Sequence, residues 1–270
     1  MSSAFEEVVR DLAEEHAALE RVLRAMPAST WDLPSHSPGW LARDQVAHLA
    51  YFDEAAELAI RDPETFTAGV AAANAANGNV EGQYLDKGRA MTPEQLFDWW
   101  KGASSSLVAA ARLVDPKARL PWYGPAMSGV SFLTARLMEC WSHGLDVVDV
   151  ASLPRPDTDR LRHVAFISFR ARPFSYATRG LTMPDIPVRV ELTSPGGEPW
   201  VFGEDDALNV VRGTATDFCR VCTQRRHLAD TSLSIEGDAA REWMDIAQAF
   251  AGPPGQGRHP GEFPKEPTPK

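Results

Sequence analysis

The stretch SGVSFLTARLMECWSHGLDVVDVA, residues 128–151, decides the architecture of the chain. Read at 3.6 residues per turn, Phe132, Arg136, Glu139, His143, Asp146 and Val150 fall on one stripe. That stripe mixes large apolar groups with acids, a base and a histidine. It predicts a helix whose ionisable side chains interrupt an apolar seam, and a buried charge needs a partner. Partners must come from other helices, and the upstream sequence supplies three. Phe5, Val9, Leu12, His16, Leu19, Leu23 and Met26 recur at alternating steps of four and three, which is one helix face. After a Pro- and Ser-rich loop, residues 41–61 form a second helix with Gln45, His48, Leu49, Phe52 and Ala56 inward. Thr92-Pro93-Glu94-Gln95 is a helix start with a capping box and proline at the first helical position. That helix runs to about residue 114 and buries Leu96, Trp99, Trp100, Leu107 and Ala111. Four amphipathic helices predict an up-and-down bundle over residues 1–153.

Between the second and third of these helices, residues 65–88 are rich in Ala, Asn and Gly and read as a broken helix or a mobile excursion. Pro154 and Pro156 mark a domain boundary. Beyond it a helix over 157–177 leads to the alternating strand Val188-Arg189-Val190-Glu191-Leu192, and Gly196-Gly197 turns the chain into Trp200-Val201-Phe202. A strand over 207–211, a helix over 215–226, a strand over 232–236 and a helix over 239–250 complete a small α+β domain, residues 154–252. Residues 253–270, dominated by Pro, Gly and charge, read as a disordered tail. The fold class is therefore mainly α in two domains.

Composition narrows the function classes. Hydrophobic residues make up 44% and charged residues 24% of 270 residues, ordinary for a globular protein. A formal net charge of −10 argues against a nucleic-acid or anionic-membrane partner. No apolar run approaches the roughly 20 residues that span a bilayer. The three cysteines, Cys140, Cys219 and Cys222, form no disulfide framework. These features predict a cytoplasmic protein with a small-molecule substrate, and a homodimer is compatible with them.

Glu139 and His143 are four apart, so they leave the same helix face on consecutive turns, the spacing that offers two ligands to one metal. His48 lies on the inward stripe of another helix, and a bundle can bring it opposite the pair. Two histidines and a carboxylate leave a coordination position open, as in catalytic zinc sites; ferrous iron or nickel suits the same donors. Asp53, one turn beyond His48, and Asp146, three past His143, are candidates to orient the ligand imidazoles from behind. His16 reads as a core histidine within reach of the same region. Cys219-x-x-Cys222 has redox-motif spacing but lies mid-helix, outside a strand–turn–helix context, and is discounted. Trp99, Trp100, Trp122 and Tyr123 read as core and rim.

The segments Gly39-Trp40-Leu41-Ala42-Arg43-Asp44-Gln45-Val46-Ala47-His48-Leu49 and Arg136-Leu137-Met138-Glu139-Cys140-Trp141-Ser142-His143-Gly144-Leu145-Asp146-Val147 resemble the two signature helices of the mycothiol-dependent maleylpyruvate isomerase family, within the DinB-like metal-binding bundles. The resemblance implies a DinB-like four-helix bundle with His48, Glu139 and His143 as metal ligands. It implies zinc or a related divalent metal and, for the isomerases, mycothiol as the thiol cofactor. In the resembled reaction a thiol adds to a cis double bond, the bond rotates, and elimination gives the trans product. By the same resemblance Arg225, with Arg226 and Arg220 as alternatives, corresponds to a C-terminal-domain arginine that the isomerase family uses near its active site, where a guanidinium can grip a substrate carboxylate. Two other readings stand beside this isomerase or thiol transferase: a metal-dependent tailoring enzyme that uses no thiol, and a non-catalytic metal-binding or sensor protein.

Overall fold

The computed structural model describes residues 3–76 and 78–263. The chain divides into two compact units, Met1–Arg155 and Pro156–Lys270.

In the first unit, α1 (Ala4–Ala25) opens on a capping box in which Ser3 and Glu6 satisfy each other's backbone N–H. The second bundle helix, α2 (Ala42–Arg61), is followed by α3 (Pro63–Ala75) and α4 (Val80–Arg89). The expected broken helix is thus two short helices, of which α3 buries Phe66 and α4 buries Tyr84, Leu85 and Gly88. Asn77, between them, lies outside the described residues. The Thr92–Gln95 capping box starts α5 (Pro93–Ala111) as expected. A two-stranded hairpin, β1 (Arg119–Leu120) with β2 (Met127–Ser128), then spans the Pro121–Pro125 turn and delivers the chain to α6 (Gly129–Ala151).

Helices α1, α2, α5 and α6 make the bundle, and side-chain contacts fix its order. Along α2 and α6, Gln45 meets His143, His48 meets Glu139 and Asp53 meets Arg136, so these helices are antiparallel. Arg24 over the Phe97 ring and Glu20 on Lys101 make α1 and α5 antiparallel. Ala47 and Leu96 both flank Gly88, whereas Ile60 and Ala110 line one hollow at the far end, so α2 and α5 run the same way. The senses are therefore up, down, down, up. The α3–α4 segment makes the return stroke that separates this from strict alternation. Apolar packing of Leu19, Leu23, Val46, Leu49, Leu96, Trp100, Cys140 and Val147 fills the middle.

The start of α2 and the end of α4 are locked together. Asp44, fully buried, accepts the Leu41 N–H and pairs with Arg89 at 2.6 Å. Arg43 donates to the carbonyls of Arg89 and Met91 at 3.1 Å each, closing the end of α4. A Cβ on Gly88 would lie 2.6 Å from the Ala47 Cβ, so this close crossing of α2 and α4 requires glycine. The lock holds Tyr84 of α4 against the inward face of α2.

The second unit begins with α7 (Leu161–Arg170) and α8 (Arg172–Ala177). The single helix expected over 157–177 is broken at Ala171, because Pro173 suits the first turn of a new helix and not the interior of an old one. A four-stranded sheet in the order β4-β3-β5-β6 follows, from β3 (Val188–Thr193), β4 (Pro199–Phe202), β5 (Asn209–Thr214) and β6 (Ser234–Glu236). Gly197, with φ +92°, turns the β3–β4 hairpin, and β3 pairs in parallel with β5. The third strand lies two to three residues later than expected over 207–211. Between β5 and β6, α9 (Ala215–Cys222) stops four residues short of the expected end, because Gln224 turns to a positive φ of 58°. The last helix, α10 (Asp238–Ile246), also ends early and buries Trp243 and Met244. Of the expected tail, residues 264–270 lie outside the described residues. Ahead of them, the Arg226 guanidinium lies 3.8 Å from the centre of the Phe263 ring, and Gly261 N–H donates to Asp230.

Candidate metal centre

The α2 and α6 stripes meet face to face, and their polar members form successive rungs. At the first rung His143 Nδ1 lies 2.6 Å from Gln45 Oε1. At the second, His48 Nε2 and His143 Nε2 stand 3.4 and 3.1 Å from the same carboxylate oxygen, Glu139 Oε2. One donor atom from each of the three residues lies within 4.8 Å of the other two. The imidazoles sit 4.1 Å apart, centre to centre. Their side chains are 15% and 12% exposed and that of Glu139 19%, so the cluster is sheltered yet reachable.

The hydrogen-bond network fixes which nitrogen of His143 carries a proton. Gln45 Nε2 donates to Ser35 Oγ at 2.9 Å and Ser37 Oγ at 3.2 Å, which turns its carbonyl oxygen toward His143. That oxygen is an acceptor, so His143 Nδ1 carries the hydrogen. Its Nε2, 3.1 Å from Glu139 Oε2, meets the carboxylate as a lone pair in the neutral ring and as a donor in the imidazolium. In either form a positive charge, a proton or a metal ion, stands between Nε2 and the carboxylate.

Burial is the largest influence on His48 and lowers its pKa to about 3, with the His143 charge acting in the same direction. At neutral pH it is an uncharged imidazole ready to donate an electron pair. Burial pushes the Glu139 carboxyl up, but hydrogen bonds and charge from His143 and His48 reverse this and hold it well below the usual range. Glu139 is a carboxylate.

Aromatic rings wall the cluster. Trp40 lies nearly parallel to His143 with centres 6.0 Å apart, and its indole N–H donates to Glu81 at 3.0 Å. Phe52 packs 4.6 Å from the His48 ring. Tyr84 places its hydroxyl 3.3 Å from His48 Nδ1. The α4 helix thereby contributes to the site.

One expectation about the supporting acids changes. Asp53 does not orient His48: its Oδ1 accepts from Arg136 Nε and Nη2 at 3.1 and 2.9 Å, and its Oδ2 is 3.5 Å from His16 Nε2. Five residues carry Asp53 about 140° round the helix from His48, toward the bundle interior. Tyr84 stands behind His48 instead. Asp146, fully buried, lies 3.9 Å from His143 Nδ1, but Gln45 makes the shorter contact. Gln45 was legible as an inward residue, whereas its role depends on partners at positions 35, 37 and 143. Phe52 was legible as an inward residue and Trp40 as part of the Gly39–Leu49 segment, whereas Tyr84 carries no motif that marks it. His16 is buried against Trp100, with ring centres 6.1 Å apart. In the second unit Arg225 Nη1 donates to the Thr223 carbonyl at 2.7 Å. Cys219 and Cys222 are buried free thiols whose pKa values burial raises.

A helical bundle of this order with a clustered His, Glu and His, followed by an α+β unit, defines a recognisable class. The family model for the mycothiol maleylpyruvate isomerase N-terminal domain matches residues 12–148, and the chain belongs to that family. Two proteins of Mycobacterium tuberculosis, from strains CDC 1551 / Oshkosh and ATCC 25618 / H37Rv and described as uncharacterized, are each 39% identical over 250 residues. These alignments cover 93% of this chain and 97% of theirs. The crystal structure of the mycothiol-dependent maleylpyruvate isomerase superposes with a TM-score of 0.56 at 16% identity, over 84% of this chain and 93% of that one. A histidine-to-alanine mutant of it gives a TM-score of 0.55, also at 16% identity and with the same coverage. Among the described residues, no helix is long and apolar enough to cross a membrane.

Proposed function

We propose that this chain is a metal-dependent enzyme of the isomerase or thiol-transferase type, with His48, Glu139 and His143 as the metal ligands. The observation that carries the reading is the convergence of two imidazole Nε2 atoms on one carboxylate oxygen, Glu139 Oε2. A proton could bridge one such pair; a cation that accepts three donors satisfies both at once. The separations fit. Ligands at 2.0–2.2 Å around a tetrahedral zinc stand about 3.3 Å apart, against 3.1 and 3.4 Å here. Zinc suits this nitrogen and oxygen set, as do ferrous iron and nickel.

A divalent metal so held supplies positive charge that lowers the pKa of a coordinated thiol or polarises a carbonyl. The chain's own residues prepare the site for this. Gln45 fixes the His143 tautomer and hence the direction of its lone pair. Tyr84 restrains the His48 ring from behind. Trp40 and Phe52 limit the approach of water and strengthen the local electrostatics. Mycothiol is the proposed thiol, by analogy with the isomerase whose fold the chain shares.

Elemental analysis of purified protein tests the reading. Wild type should carry about one equivalent of metal and His48→Ala essentially none. Full retention of metal by His48→Ala would refute it. Turnover of maleylpyruvate with and without mycothiol then separates a thiol-dependent reaction from one that uses the metal alone.

A further inference from the structure

The rung below the candidate ligands holds a second polar group. Arg136 is one turn before Glu139 on α6 and is 3% exposed. Its Nε and Nη2 both donate to Asp53 Oδ1, at 3.1 and 2.9 Å. Asp53 is itself 1% exposed, and its second oxygen faces His16. This grip fixes the guanidinium plane and leaves Nη1 free of hydrogen-bond acceptors among the described residues. Asp53 Oδ2 is sealed from solvent, whereas Arg136 Nη1 is not among the sealed, unpartnered side-chain atoms of the described residues.

The surroundings of this guanidinium are flat and apolar. Its carbon lies 5.9 Å from the centre of the Phe52 ring, the ring that also packs on His48. Around Phe52 stand Trp122 and Tyr123, with ring centres 6.1 and 5.6 Å away. Trp122 also meets Phe132, one turn before Arg136, at 5.1 Å. A buried arginine held in plane by a carboxylate, with one nitrogen still offered and aromatic faces beside it, is more than a structural ion pair requires. Replacing such a pair with apolar residues is often neutral or stabilising, so stability alone does not account for it.

We propose that Arg136 is a ligand-anchoring residue, which binds the carboxylate of a small unsaturated or aromatic acid through Nη1. The acid's flat skeleton lies along Phe52 and Trp122, and its other end reaches His48 and Glu139. Three residues of helix separate Arg136 from Glu139, about 4.5 Å of rise. The ligand therefore spans roughly one helical turn between its carboxylate and its reacting group. Asp53 is a positioning residue in this arrangement: it orients the guanidinium and does not touch the ligand. The proposal deepens the metal-site reading and rests on it for the reaction that follows, whereas the anion site stands by itself and is tested in metal-free protein.

Titration calorimetry with benzoate and its neutral isostere benzamide, on the full chain with and without zinc, tests it. Metal-free wild type should bind benzoate at least about tenfold more tightly than benzamide, the margin of a charge-assisted pair. The paired variant Asp53→Asn/Arg136→Gln leaves no lone buried charge and should bind both probes equally while still taking up zinc. A wild type without preference for benzoate, or a paired variant that retains it, overturns the proposal. If the paired variant does not fold, the Arg136 guanidinium resonances of wild type decide: benzoate must shift them, and unshifted resonances overturn the proposal. Failure of wild type to bind zinc, with the benzoate preference intact, removes the metal reading and leaves the anion site standing.

Discussion

Gln45 is the residue through which the metal-site geometry can be tested most sharply. Gln45→Met keeps the length of the side chain and removes its acceptor and donors. Three contacts go: His143 Nδ1 at 2.6 Å, Ser35 Oγ at 2.9 Å and Ser37 Oγ at 3.2 Å. Ser35 keeps the Trp40 carbonyl as acceptor at 3.0 Å, so it is not orphaned. With a net value of about 1 kcal/mol per hydrogen bond, folding should lose roughly 2–3 kcal/mol. The larger consequence is for His143, which becomes free to rotate and to place its proton on Nε2. Loss of such an outer partner weakens metal binding about 10–100-fold, or about 1.4–2.7 kcal/mol. Gln45→Glu separates the two effects, because it keeps an acceptor at Nδ1 and makes the imidazole more basic. Its zinc affinity should equal or exceed that of wild type. Competition against a chromophoric chelator measures the affinities, and thermal melting of metal-free protein measures the folding cost. Gln45→Met with wild-type affinity, or both variants equally weakened, would refute the tautomer argument.

Asp53→Ala should destabilise the fold by about 3–5 kcal/mol, because Arg136 is left charged and buried without its partner. A urea midpoint measures this; zinc affinity falling 10–100-fold with little loss of stability would restore Asp53 to a role behind His48. Acid should weaken the metal-free protein. His48 folds uncharged with a pKa of about 3, so its contribution is complete above its unfolded pKa near 6.5 and is lost as pH falls toward 3. Glu139, held low by its histidines, acts in the same direction below about 4.5. Each group adds at most about 1.4 kcal/mol per pH unit. His48→Gln should therefore flatten the stability profile between pH 6.5 and 3, and superimposable profiles would contradict this.

The bundle was legible from helical periods; for the three clustered residues the spacing of Glu139 and His143 and the inward place of His48 only suggested a site, and the resemblance of the two helix segments singled it out. The supporting contacts were not legible. Tyr84 reaches His48 because Asp44, Arg43 and Gly88 lock α4 onto α2, and an Ala- and Gly-rich segment carries no period that announces this. Asp53 looked like a partner for His48 by its nearness in sequence, yet the helical angle sends it to Arg136. Strands β1 and β2 have two residues each, too few for alternation to show. In the second unit, Pro173 and Gln224 end helices that an apolar count alone would extend.

The rungs between α2 and α6 also bear on how the chain is made. Their partners are 98, 91 and 83 residues apart in sequence. A chain emerging from the ribosome presents α2 long before α6 exists, and closing so long a loop is deferred until its reward is available. Until then Asp53, His48 and Gln45 remain hydrated on an incomplete bundle, which discourages a premature collapse that would bury them alone. Docking of α6 is thus the step at which synthesis, burial of charge and assembly of the candidate site coincide. A chain truncated before residue 136 has the core residues of three bundle helices and lacks the α6 partners of Asp53, His48 and Gln45.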